Sequence, residues 1–238
     1  MTSPLEIPRP SEIGQLLRGE TEAISRWSQQ WSAGRFLLHL SVIVIGAGLY
    51  GATMGWWRAP QQALFVAIKF PLILLLVTLG NALINGLLAP LLGLNIRFRT
   101  AFLAMIMSFT ITSAVLGAFS PIIAFMIWNT PAMSHKHSLE MAYSIILQVH
   151  VMVIALAGIT GNARLLQLLV HLSETRAIAF RVLAAWVGGN LFLGTQLTWI
   201  LRPFIGSPDR PVQFLRADAF HGNFYEGVFH SFLQMINH

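Results

Sequence analysis

Five long apolar runs dominate this chain, over residues 36–57, 64–88, 100–125, 141–161 and 178–201. A helix needs about 20 apolar residues to cross the roughly 30 Å hydrocarbon core of a bilayer, and every run reaches that length. Lipid offers backbone amides no partner, so each run must satisfy its own hydrogen bonds as a helix. No segment alternates with a period of two, which would mark a membrane barrel. The expected fold is therefore all-α and integral to a membrane, a bundle of about five transmembrane helices with an amphipathic helix at either end. The chain divides into a leader (1–35), a transmembrane domain (36–201) and an extramembrane hinge with a C-terminal amphipathic helix (202–238).

Composition excludes a soluble domain. The chain is 55% hydrophobic and 10% charged, against roughly 25% charged residues in soluble proteins. Its net charge of +6 is dispersed in short segments between the runs, so it forms no basic face for nucleic acid. With no cysteine, disulfides, thiolate metal sites and cysteine nucleophiles are all excluded. Residues 1–35 carry four arginines, four glutamates and three prolines without an apolar core segment, so a cleaved signal peptide is not expected.

Arginine and lysine orient the bundle, because cytoplasmic loops carry the excess of positive residues. With the N-terminus inside, nine arginines lie on the inner segments: Arg9, Arg18, Arg26, Arg35, Arg97, Arg99, Arg164, Arg176 and Arg181. The outer segments hold Arg58, Lys136, Arg202, Arg210 and Arg216. The expected location is the inner membrane of a bacterium, N-terminus cytoplasmic. A half-span at Pro71 or Pro121 would reverse everything after it, and a kink or re-entrant end is expected at Pro121 because proline lacks the helical amide.

Both ends read as amphipathic. Ile13, Leu17, Ile24, Trp27 and Trp31 recur at helical spacing, in a helix lying on the membrane surface or packing on the inner ends of the bundle. At the other end, Asn223 and Glu226 have the spacing of a capping box, followed by a stripe of Phe224, Val228, Phe232, Met235 and Ile236. Trp27, Trp31, Phe224, Val228, Phe232 and Ile236 are the candidate partner-docking residues.

All nine acidic residues lie outside the five runs, which argues against carboxylate-coupled transport and against paired carboxylates in the bilayer. The intramembrane amides and hydroxyls Asn81, Asn85, Thr110, Gln148 and Gln196 are candidates for interhelical glue or for a polar pathway. Lys69, two residues before Pro71, either snorkels to headgroups or binds an anionic headgroup or a carbonyl at a break in the helix. Arg202 and Pro203 form a membrane exit in which the arginine reaches phosphates and the proline halts the helix. His150 and His39 are candidate axial ligands for a haem or a chlorophyll-type magnesium. His135 and His137 flank Lys136 without a third ligand nearby, and no metal site is expected. Gly51 and Gly55, with Gly48 and Ala52, give the first helix a smooth strip for close approach, within the monomer or between copies. No protease, hydrolase or phosphate-loop motif is present.

The segment GTQLTWILRPFIGSPDRPVQFLRADAFHGNFYE (194–226), with LYGATMG (49–55) and QQALFVAIKFPL (61–72), resembles a family of uncharacterised bacterial multi-pass membrane proteins with a GTQLxWxLRPFxGSP signature. The layout of a cytosolic leader followed by about five spans is more loosely similar to Yip-type membrane proteins. Neither resemblance implies an activity or a catalytic residue. The reading that follows is a non-enzymatic accessory or scaffold subunit of an inner-membrane complex, with lipids and other membrane subunits or a second copy as partners. The alternative is a homo-oligomeric channel or permease for a small ion or solute. A third reading is pigment or haem binding through His150; no other cofactor is expected.

Overall fold

The computed structural model describes residues 11–29, 32–130, 136–206 and 210–226, and the side chains of all of these except 25, 27–29 and 136–140. Among them the chain is helical without a strand: α1 (Ser11–Arg18), α2 (Thr21–Gln29), α3 (Ala33–Trp56), α4 (Pro60–Leu91), α5 (Phe98–Trp128), α6 (Lys136–Leu172) and α7 (Arg176–Leu201). Five helices, α3 to α7, are long and apolar enough to cross a membrane.

Local chemistry sets the ends. Ser32 accepts a hydrogen bond from the Arg35 amide (3.2 Å) and so starts α3 three residues earlier than the apolar run. Thr175 caps α7 in the same way through the Ile178 amide (3.3 Å). Pro60 opens α4, at a position where its missing amide would have had no partner.

The leader differs from the single helix expected. Gly19 takes a left-handed φ of 75° and divides it into α1 and α2. Leu16 and Ile24, buried on the two halves, join the core formed by Leu94, Leu103, Leu165 and Leu168. The leader therefore packs on the bundle end. Arg164 on α6 locks it there, with Nη2 and Nε donating to the Leu17 carbonyl (2.9 and 3.2 Å), and Glu12 pairs with Arg35 at 3.0 Å. Trp27 lies on α2 without a described side chain, and Trp31 falls outside the described residues.

Neither proline makes a half-span. α4 continues through Pro71 and Pro90, and α5 through Pro121, so no half-span forms at Pro71 and no re-entrant end at Pro121. Each proline forgoes one backbone hydrogen bond, and residues on both sides keep the helix in place by packing: Val66 and Ile73 flank Pro71, and Leu116 and Ile123 flank Pro121, all buried. α6 is longer than its apolar run. Its 37 residues rise roughly 55 Å, which carries Arg164 to the leader.

Within the bundle α5 is central, packed by α3, α4 and α6, and 61% of its apolar window is buried; α7 lies against α4 and α6 with 17% buried. Glycine sets the closest approaches. A Cβ on Gly46 would overlap the Ser113 carbonyl oxygen of α5, and one on Gly51 would lie 2.5 Å from the Val66 carbonyl oxygen of α4. The smooth strip of α3 thus faces its own bundle. By contrast, a Cβ on Gly158 would meet nothing within 4 Å. Gly46→Val is expected to lower stability by about 1–3 kcal/mol through overpacking. Gly158→Ala should leave stability unchanged or raise it by up to about 1 kcal/mol through helix propensity. Thermal unfolding of both variants in detergent checks the contrast.

Candidate functional site

The polar side chains of the spans separate into three groups. In the first, the Asn81 amide donates to the Trp186 carbonyl (3.0 Å) and to Asn190 Oδ1, while Asn85 donates to Asn81 Oδ1. This ties α4 to α7 at their most polar point. In the second, Thr110 Oγ1 donates to the Ile106 carbonyl (2.7 Å) and lies 3.0 Å from His39 Nδ1. With the hydroxyl proton thus used, the Thr110 oxygen accepts, and the Nδ1–H tautomer of His39 donates to it. In the third, the Tyr50 hydroxyl meets His150 Nδ1 at 2.9 Å, with the two rings edge to face, and joins α3 to α6.

The five amides and hydroxyls singled out in the sequence are not brought together. Asn81 and Asn85 are buried in one contact and Thr110 in another, Gln148 is exposed on the outside of α6, and Gln196 is half-buried on α7. His39 and His150 do not fit a shared macrocycle either. Tyr50, which touches His150, lies eleven residues beyond His39 on the same helix, a rise of roughly 16 Å. Two axial ligands of one metal sit about 4 Å apart, two metal–nitrogen bonds end to end. Among the described residues no three His, Asp or Glu side chains gather to hold a metal ion.

A fourth arrangement lies where α3, α4 and α7 end. Lys69 is fully buried and does not snorkel. Its Nζ donates to the Pro203 carbonyl (3.1 Å) between the rings of Phe214 and Phe204, at 5.2 and 5.8 Å. About two turns earlier on α4, Gln62 Nε2 donates to the carbonyls of Pro203 and Phe204, both at 2.9 Å. Pro203, joined to Arg202 by a cis bond, cannot continue the helix, and its stretch of chain presents carbonyls inward. Two donors from α4 satisfy them. The exit segment is thereby turned back over the bundle end as a strap.

The strap continues along α7. Arg58 Nη2 donates to the Arg210 carbonyl (3.3 Å), Phe65 meets Phe214 edge to face, Trp199 Nε1 donates to the His221 carbonyl (3.4 Å), and Tyr225 stacks on Phe192 while its hydroxyl lies 3.1 Å from Thr195 Oγ1. The capping box forms: the Glu226 amide donates to Asn223 Oδ1 (3.0 Å) and the Asn223 amide to Glu226 Oε2 (3.2 Å). Phe224 packs edge to face on Tyr225. Val228, Phe232, Met235 and Ile236 lie outside the described residues.

Between strap and bundle lies a cavity of about 660 Å³. Arg58, Arg202, Arg210 and Arg216 line it, with Asp218 the one carboxylate among the described lining residues, and Tyr143, Leu147 and Phe204 contribute to its apolar wall. Arg202 is aimed by its own helix end. It donates to the Trp199 carbonyl (2.7 Å), lies 3.7 Å from the Trp199 ring centroid, and approaches Asp218 at 3.6 Å. Arg216 reaches the same carboxylate at 3.1 Å. Burial foremost, then the neighbouring Arg216, lowers the Arg202 pKa from its ordinary value; Asp218 raises it and Arg210 lowers it again. Sequence reasoning picked out Arg202 but missed Gln62, Arg58, Arg210 and Arg216 as its companions, since 144 residues separate Arg58 from Arg202.

No family model, curated protein or solved structure matches this chain.

Two changes separate these roles. Lys69→Met removes the donor to a buried carbonyl, which should cost about 1–3 kcal/mol and expose the strap after Pro203 to limited proteolysis. Asn81→Leu breaks contacts to α7 and should lower the melting temperature, whereas Gln148→Leu should leave it nearly unchanged. Each interhelical hydrogen bond in a membrane contributes roughly 0.6 kcal/mol, so the contrast should be one to a few degrees in a detergent melt.

Proposed function

We propose that this chain is a non-enzymatic accessory or scaffold subunit of a bacterial inner-membrane complex, with its N-terminus in the cytoplasm. The observation that carries the reading is that both extramembrane segments are fixed to opposite ends of one bundle by side-chain donors to backbone carbonyls. Arg164 holds Leu17 at one end, and Lys69 and Gln62 hold Pro203 and Phe204 at the other. A subunit so built presents two surfaces in constant register across the membrane, which suits a docking role. The excess of arginine on the leader side supports the cytoplasmic assignment. Dispersal of the polar side chains into separate interhelical contacts supports a static bundle over a continuous solute path.

The reading is tested by cross-linking in native membranes followed by gentle solubilisation and mass identification. The expected outcome is one other membrane polypeptide, or a second copy, at fixed stoichiometry, cross-linked through α1–α2 or through residues 210–226. The same protein in liposomes should leave solute flux at the level of empty vesicles. A chain that is recovered alone and makes liposomes leaky to a small solute would instead be a channel.

A further inference from the structure

The strap encloses a charge arrangement that a scaffold does not require. Arg58, Arg202, Arg210 and Arg216 line one cavity with Asp218 as the only carboxylate among its described lining residues, so the described lining is net positive. The inner ends of α3 and α4 are far away, so none of this charge is a topology signal for the cytoplasmic face; on the orientation proposed above it stands against the positive-inside tendency. Like charges held in one partly enclosed space repel unless an anion joins them.

We propose that this cavity binds a phosphate-type anion, a phosphomonoester or diphosphate, with the four guanidiniums as its ligands and the apolar wall taking the group the phosphate carries. The planar guanidinium fork matches phosphate oxygens in pairs, which a lysine ammonium cannot do. A net positive lining of several guanidiniums suits a multiply charged anion better than a single carboxylate. The volume, about 660 Å³, falls within the roughly 300–1,000 Å³ of small-molecule sites. Two of the cations are already positioned: Arg202 by the Trp199 carbonyl and ring, and Arg216 by Asp218. Lys69 and Gln62 act from behind by fixing Pro203 and Phe204, which line the cavity. Tyr143 and Leu147 lie four apart on α6, on one helix face beside the arginines, so the wall is apolar where the helix meets lipid. A phosphate carried by a lipid and a soluble phosphate compound both satisfy this chemistry.

The purified full-length protein in detergent is titrated with inorganic pyrophosphate and, separately, with dioctanoyl phosphatidic acid, following the melting temperature and native mass spectra. Dioctanoyl phosphatidylcholine serves as the control for chain length. The proposal expects at least one phosphate probe to bind and raise the melting temperature. Phosphatidic acid alone identifies a lipid-borne phosphate; pyrophosphate binding as well identifies a soluble one. Arg210→Gln with Arg216→Gln should weaken the bound probe tenfold or more, Arg210→Lys should weaken it less, and Asp218→Asn should tighten it severalfold by removing the competing carboxylate. Failure of both probes, binding of phosphatidylcholine as tight as that of phosphatidic acid, or a double glutamine variant that melts normally and binds like the wild type would each overturn the proposal. Should the double variant not fold, the same question is put to the wild type: sulfate must displace the probe and acetate must not, and the reverse overturns the site. The result stands apart from the scaffold reading, since a partner can be found without a bound phosphate and a phosphate without a partner.

Discussion

Inside an apolar bundle a polar group has little else to bond to, and much of the fold follows from where the buried donors and acceptors meet. The decisive case is the exit from α7. Pro203 ends the helix and leaves carbonyls directed inward, and a neighbouring helix supplies the donors through Lys69 and Gln62. That junction bends the chain back over the bundle, brings Phe214 against Phe65, and places the arginines of the strap opposite Arg58. Without a donor there, the strap would have no reason to lie where it does.

The leader is held by the same kind of interaction in mirror form. Arg164 projects from the long end of α6 and takes the carbonyl at the turn between α1 and α2, where the chain passes through Gly19. A side chain on that glycine would run into the Arg164 guanidinium, so the turn residue and the arginine fit as a pair. Between these two ends, α5 carries the dense packing and α7 the exposed apolar flank. The asymmetry leaves one side of the bundle with exposed apolar side chains, and the strap covers part of that side by stacking Tyr225 on Phe192.

Much of this was legible in the chain. The five apolar runs each became a helix, and the Asn223–Glu226 capping box formed as its spacing implied. The polar residues were harder to read, because spacing along one helix shows a shared face but not the neighbour opposite. Asn81 and Asn85 were correctly placed on one face, yet Asn190 and the Trp186 carbonyl, which complete the contact, lie about a hundred residues on. His39 and His150 were both readable as ligands, and each instead meets a hydroxyl of a neighbouring helix, Thr110 and Tyr50. For Lys69 the sequence left snorkelling and a headgroup or carbonyl partner open; the strap covers it and supplies both carbonyl and rings.

The sequence alone determined five helices long and apolar enough to cross a membrane, since run length and backbone hydrogen bonding favour no other solution; the carboxylates lie outside the apolar runs, although α6 begins early enough to include Glu140. The starts of α3, α4 and α7 are set locally by Ser32, Pro60 and Thr175, two to four residues before the apolar runs begin, because a cap lies outside the apolar stretch it serves. Only the tertiary structure decided that the prolines of α4 and α5 do not interrupt their helices, that the leader folds in two, and that Arg58 shares one cavity with Arg202, Arg210 and Arg216. Those outcomes depend on which surfaces pack together, and a contact between residues more than a hundred positions apart leaves no periodic trace in a single sequence.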